Sequence, residues 1–195
     1  MGRIFCIVGK SSSGKDTIYK ELIKDSALHL NRIVPYTTRP IRAGEQEGVE
    51  YHFTTVERLE QLERENKIIE CRSYDTIYGV WYYFMAKDSQ IQLEKQNYLV
   101  IGTLESYAKI RDYFGKERVV PIYIVLEDGE RLERALKRER IQDKPKYEEL
   151  CRRFLADAKD FSVEKLDSVG IDKCFDNFDL KNCLKEIITY MKSFE

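Results

Sequence analysis

The chain has no pair of cysteines at C-x-x-C spacing. Its five cysteines, Cys6, Cys71, Cys151, Cys174 and Cys183, are odd in number and scattered, which argues against a disulfide framework or a zinc site. Several lie in apolar runs and are expected to be core thiols. No apolar run approaches the roughly 20 residues of a membrane-spanning helix, so no membrane partner is expected. The first strand-like segment starts almost at once, leaving no room for a signal peptide, and a cytoplasmic location is the expectation. An excess of one charge is missing as well. The 33 basic and 34 acidic residues leave a net charge of −1, which does not suggest a nucleic-acid partner. Internal repeats, low-complexity tracts and interdomain linkers are also absent.

What is present fits one α/β domain. A chain of 195 residues can bury a core, and 43% hydrophobic with 34% charged residues argues against long disorder. The runs 4–8, 98–102 and 119–126 have the composition of strands buried on both faces. Pro121 places the start of the last strand at or after itself, because proline lacks a donor for the ladder. Segments 88–97 and 104–114 read as helix or loop. Residues 129–141 and 146–160 are charged and helix-favouring, separated by a turn at Asp143-Lys144-Pro145. A short stretch at Cys174-Phe175-Asp176-Asn177 precedes a C-terminal helix at about 179–193. This alternation predicts a parallel sheet flanked by helices.

Between the first strand and the first helix stands Gly9-Lys10-Ser11-Ser12-Ser13-Gly14-Lys15-Asp16-Thr17. Strand, Gly-x4-Gly-Lys loop and helix form a phosphate-binding loop. Gly9 and Gly14 let the backbone fold round an anion, with N–H groups turned inward and the helix dipole adding to their pull. Lys15 brings a mobile positive charge to the β- and γ-phosphates. The expected triphosphate contacts are therefore Gly9, Ser11, Ser12, Ser13, Gly14, Lys15, Asp16 and Thr17. Asp16 departs from the pattern, which puts Ser or Thr after the lysine. Thr17 is the candidate hydroxyl for Mg²⁺. Asp16 either reaches the metal through water or simply favours the positive helix N-terminus.

A second stretch, 35–53, is too polar for a core strand and carries Arg39 and Arg42 with Tyr51 behind them. Two guanidinium groups could grip a phosphate bidentately. An isolated pair of arginines is more often a solvated turn, and it is the surrounding motif that reverses this.

Thr37-Thr38-Arg39-Pro40-Ile41-Arg42-Ala43-Gly44-Glu45, followed by Gly48-Val49-Glu50-Tyr51-His52-Phe53, resembles the monophosphate-binding segment of the guanylate kinase family. Ile68-Ile69-Glu70, Tyr78-Gly79 and Asn177-Phe178-Asp179-Leu180 continue the likeness in order, covering nearly the whole chain. The resemblance implies a P-loop kinase fold with a monophosphate-binding subdomain at 33–83 and a helical lid at 128–160. It implies an enzyme that phosphorylates GMP or dGMP to GDP with ATP and Mg²⁺. Arg39, Arg42, Tyr51 and Tyr78 would hold the monophosphate, and Glu70 would accept from the guanine N1–H and amine. Asn177 would contact ATP. Lid arginines would close over the transferred phosphoryl group, with Arg138 and Arg153 matching best and Arg140 competing for the first place. Lys15, Arg138 and Arg153 are then the catalytic set.

Departures from the family pattern are Pro35 and Val80 where hydroxyl side chains are usual, and Ile101 and Thr103 where a strand end is usually acidic. These leave open a P-loop kinase of another phosphorylated small molecule. A guanylate-kinase-like module that binds phosphopeptides without catalysis is the other alternative, against which the intact loop at 9–15 argues. Monomer and homodimer remain equally open.

Overall fold

The computed structural model describes residues 2–42, 44–76 and 78–194; Ala43 of the arginine-containing motif lies outside them. In chain order these residues form β1 (Ile4–Val8), α1 (Lys15–Lys24), β2 (Leu30–Arg32), β3 (Tyr36–Thr37), β4 (His52–Phe53), α2 (Val56–Arg64), β5 (Ile68–Thr76), β6 (Gly79–Ala86), β7 (Asn97–Ile101), α3 (Leu104–Phe114), β8 (Val119–Val125), α4 (Asp128–Arg140), α5 (Tyr147–Asp160), α6 (Val163–Ser168), β9 (Cys174–Asp176) and α7 (Leu180–Lys192). A five-stranded sheet runs β2-β7-β1-β8-β9, with every pairing parallel. A smaller sheet runs β4-β3-β6-β5 and is mostly antiparallel.

β1 is central and buried along its whole length. Alternation sends Ile4, Cys6 and Val8 to one face, where Leu104, Tyr107 and Ile110 of α3 cover them. Phe5 and Ile7 point to the other face, onto Ile18 and Leu22 of α1 and Cys183, Ile187 and Met191 of α7. The small sheet has its own core of Leu59, Leu62, Phe84 and Ala86. The parallel sheet flanked by helices is as the alternation of apolar runs requires. Within 88–97 the chain makes turns, whereas 104–114 is helical, capped by Thr103 Oγ1 accepting from Ser106 N at 3.2 Å. The short helix α6, begun by Ser162, is not evident from the sequence, because its apolar residues Val163 and Leu166 span less than two turns.

The expectation for Pro121 is corrected. β8 begins at Val119, and Pro121 stands inside it opposite Cys6. Ile4 N donates to Arg118 O, so even-numbered residues of β8 face β1; Asn177 N donates to Val125 O, so odd-numbered ones face β9. β9 starts only opposite Tyr123. The missing donor of Pro121 therefore points past the end of β9, where no ladder bond is lost.

Phe175 of β9 is fully buried and packs 5.4 Å from the Tyr190 ring of α7. Phe175→Ala should lower unfolding free energy by about 3–5 kcal/mol in urea titration. Leu155→Ala on the exposed side of α5 should change it by less than about 0.5 kcal/mol.

Candidate active site

Loop 9–14 leaves the C-terminal end of β1 and feeds α1, the crevice position where parallel sheets collect ligands. Both glycines are dictated by close approach. Gly9 has φ 153°, and a Cβ there would lie 2.5 Å from the Ile124 carbonyl oxygen; Gly14 has φ 92°, and a Cβ would lie 2.2 Å from Asn177 Nδ2. Lys15 is the first residue of α1, and its ammonium donates to Gly9 O at 2.6 Å and Lys10 O at 2.8 Å. Burial lowers its pKa below the usual lysine value, so the ammonium sits where an arriving polyanion would stabilise it.

Three side chains fix the loop from outside. Arg131 is 1% exposed; it donates to Ser11 O at 3.0 Å and Asp157 Oδ2 at 3.1 Å, and through Nε to Asp128 Oδ1 at 3.0 Å. Asp157 Oδ2 also accepts from Ser11 N at 2.7 Å, and the Arg131 guanidinium lies 4.7 Å over the Phe154 ring. Asn177, 3% exposed, donates to Ser13 O at 2.7 Å. Its side chain supports the loop from the protein side, and Arg134 Nη2 donates to the Asn177 backbone carbonyl at 3.1 Å.

A cleft of about 950 Å³ opens between the ends of the large sheet and the small sheet. Its walls bring together Gly9, Ser11, Lys15, Tyr51, Glu70 and Arg153. Glu70 is 3% exposed, on β5 just past an irregularity in the ladder at Ile68–Glu70. Burial raises its pKa above the ordinary carboxyl value, against the pull of Arg72. Tyr51 packs edge-on to Tyr83 at 5.6 Å, with the Arg39 guanidinium 5.2 Å above its ring. Arg39 is buried and held by Glu45 through two bonds, Nη1 to Oε2 at 2.8 Å and Nη2 to Oε1 at 2.7 Å. Pro35 lines the cleft, and Thr103 closes it at the start of α3.

The guanylate kinase family profile matches residues 1–193. The chain belongs to the guanylate kinase family. The guanylate kinase of Cupriavidus pinatubonensis is 30% identical over 183 residues, covering 90% of this chain and 78% of the relative. That of Schizosaccharomyces pombe is 44% identical over 64 residues, a match that spans only 32% of its length and 33% of this chain. The crystal structure of guanylate kinase from Anaplasma phagocytophilum superimposes with a TM-score of 0.68 at 21% identity, over 98% of this chain and 85% of that one, and so shares the fold.

Other expected guanylate kinase residues lie outside the cleft walls. Arg42 is exposed, its backbone N donating to Glu45 Oε2 at 2.8 Å. Tyr78 is 78% exposed at the tip of the β5–β6 hairpin, stacked on Trp81. Val80 is exposed beside it. Arg138 is also exposed, yet its Nη2 reaches Ser12 Oγ at 3.3 Å. Arg140, two residues on, is exposed at the end of α4. Ser12 adopts a left-handed φ of 62°, and Ser13 is fully buried behind it. Among the described residues no three His, Cys, Asp or Glu side chains cluster to hold a metal ion. Asp16 and Thr17 stand exposed in the first turn of α1; these hard oxygen donors suit Mg²⁺ arriving with a nucleotide rather than a resident metal. No described helix is long and apolar enough to cross a membrane.

Sequence reasoning missed the bracing role of Arg131 and Asp157, and it missed Arg72. The pairing of Arg131 with Asp157 joins residues 26 apart and leaves no local pattern. Arg72 had a usable signal, because residues i and i+2 of a strand share a face.

Glu45 supplies a pH test. The hydrogen bonds from Arg39 hold its carboxyl below the ordinary value of 4.5. A depressed folded pKa means that the unfolded chain binds the proton first. The stabilisation is therefore complete above that ordinary value and lost as pH falls through the folded one. Between about pH 5 and 3 the melting temperature of Glu45→Gln should fall less steeply than that of wild type. Equal slopes would show that the pair is not formed in solution.

Proposed function

We propose that this member of the guanylate kinase family catalyses ATP-dependent phosphorylation of GMP or dGMP to GDP by in-line transfer. The observation that carries the proposal is the shared cleft, in which the P-loop lysine, Arg153 and the monophosphate-side residues Tyr51 and Glu70 face one space. Two bound phosphate groups repel, so the reaction needs cations between them and a site that excludes water. Lys15 and the loop amides of 12–14 would hold the β- and γ-phosphates, the Ser11 N–H being engaged by Asp157 Oδ2. The ammonium would exchange its bonds to Gly9 O and Lys10 O for phosphate oxygens.

Arg138 from α4 and Arg153 from α5 would neutralise charge on the transferred group. Both helices are already tied to the loop through Arg131 and Asp157, so their arginines move with little added ordering cost. Arg39, Arg42, Tyr51 and Tyr78 would grip the monophosphate, Arg42 and Tyr78 through an approach of the small sheet toward α4. Thr17, with Asp16 through water, would hold Mg²⁺, which when bound neutralises charge on the β- and γ-oxygens. The order of β1, loop and α1 leaves Asn177 a supporting part in ATP binding, through its bond to the loop.

The direct test is ADP release, coupled to a reporter, with GMP, dGMP, AMP and UMP as acceptors. GMP and dGMP should be turned over and UMP should not. Lys15→Met should fold with a stability change under about 2 kcal/mol while losing at least about 100-fold in turnover, the scale of lost charge stabilisation in a transition state. Retained turnover would remove the P-loop assignment. Arg42→Ala disturbs no buried pair, and should weaken GMP binding by about 2 kcal/mol with ATP binding unchanged. Calorimetry on both nucleotides checks it.

A further inference from the structure

Glu70 does not stand free in the cleft. Arg72 grips its carboxylate with a two-pronged fork, Nε to Oε2 at 3.0 Å and Nη2 to Oε1 at 3.2 Å, and anchors its far end on Thr103 Oγ1 at 3.4 Å. The pair is well sheltered, with 14% and 2% of the two side chains exposed. Both residues line the same cleft as Lys15 and Tyr51.

The fork matters because of what guanine offers. Its N1–H and 2-amino N–H are two parallel donors on one C–N framework, the same pattern as Nε–H and Nη2–H of an arginine. A carboxylate accepts one such fork on the edge between its oxygens; the outer lone pairs diverge and cannot take a second. Arg72 and the guanine donor edge therefore compete for one position. Arg72 is part of the chain and always present.

We infer that Arg72 is a specificity-determining residue that occupies the guanine-reading edge of Glu70, so that the site takes 6-oxopurine monophosphates with or without a 2-amino group. The inference rests on the proposed use of this cleft for a nucleoside monophosphate. With Glu70 engaged, the remaining N–H groups of the Arg72 guanidinium are the charged donors that face the base. They suit the O6 and N7 acceptors common to guanine and hypoxanthine. Adenine sets a 6-amino donor against them. Pro35, which lines the cleft, sharpens the effect, since it supplies no hydroxyl that could hold the ring in a guanine-only pose.

The test compares kcat/KM for GMP, IMP and AMP in wild type, Arg72→Ala and Arg72→Lys, with thermal melting to confirm folding. Wild type should use GMP and IMP within about threefold of each other and AMP at least tenfold less well. Arg72→Ala frees both oxygens of Glu70, so the GMP-to-IMP ratio should rise tenfold or more, mainly through a lower KM for GMP. Arg72→Lys keeps a cation beside the buried carboxylate but gives a point donor instead of a fork, so its ratio should fall between the two. A wild-type preference for GMP over IMP of 100-fold or more overturns the inference. A ratio that neither variant moves also overturns it, with the kinase assignment intact. Absence of turnover with all three monophosphates, in wild type and Arg72→Ala that still bind ATP, overturns the monophosphate reading of the cleft and the inference with it.

Discussion

A single buried cation holds the phosphate-binding loop to the helices that would close on it. Arg131 is almost wholly inside the protein, and such a charge is tolerable only when its donors are taken. Nε and Nη1 are taken by Asp128 of α4, the Ser11 carbonyl of the loop and Asp157 of α5, while Nη2 has only the Asp128 carboxylate 3.0 Å away as an ion-pair partner. Asp157 returns a bond to Ser11 N, so the loop is held by both its donor and its acceptor at one residue. Removing Asp157 would leave Arg131 buried with the half-exposed Asp128 as its remaining ion-pair partner. The arrangement explains how a glycine-containing loop keeps a shaped backbone before any phosphate arrives, a form of preorganisation.

The monophosphate side is built on the same logic with a different outcome. Arg39 is buried, forked onto Glu45 and stacked on Tyr51, so its position is fixed by partners within its own segment. Arg42 has no such fork among the described residues, Tyr78 only stacks on Trp81, and both lie at the surface. The small sheet thus combines a rigid inner wall, Glu70, Arg72, Tyr51 and Tyr83, with exposed residues at its margins. Motion of that sheet is what would unite them. Lys15 expresses the same tension: its ammonium is desolvated and held by carbonyls alone, a state that a triphosphate would relieve.

The guanylate kinase fold and the loop were legible in the sequence for local reasons. A strand buried on both faces must be apolar throughout, so 4–8, 98–102 and 119–126 announced themselves, and Gly9, Gly14 and Lys15 are constrained by backbone geometry and charge within seven residues. Pro121 misled because proline's cost depends on which side its nitrogen faces and on where the neighbouring strand ends. Both are properties of the sheet.

Tertiary structure alone decided which of the many arginines matter, and how. In the sequence Arg131, Arg134, Arg138 and Arg140 look equivalent on one charged helix. In the fold Arg131 is a buried brace, Arg134 caps the Asn177 carbonyl, Arg138 touches Ser12 and Arg140 is at the surface. Glu70 is a mixed case: Arg72, two residues on, shares its strand face and is legible in the spacing, whereas Thr103 reaches the pair only through the fold. One physical reason covers the contacts that the spacing hides. Backbone preferences and burial patterns act over a few residues and leave their mark in order along the chain. Charge pairing acts over a few ångströms in space, between residues as far apart as Ser11, Arg131 and Asp157, and is written nowhere in their spacing.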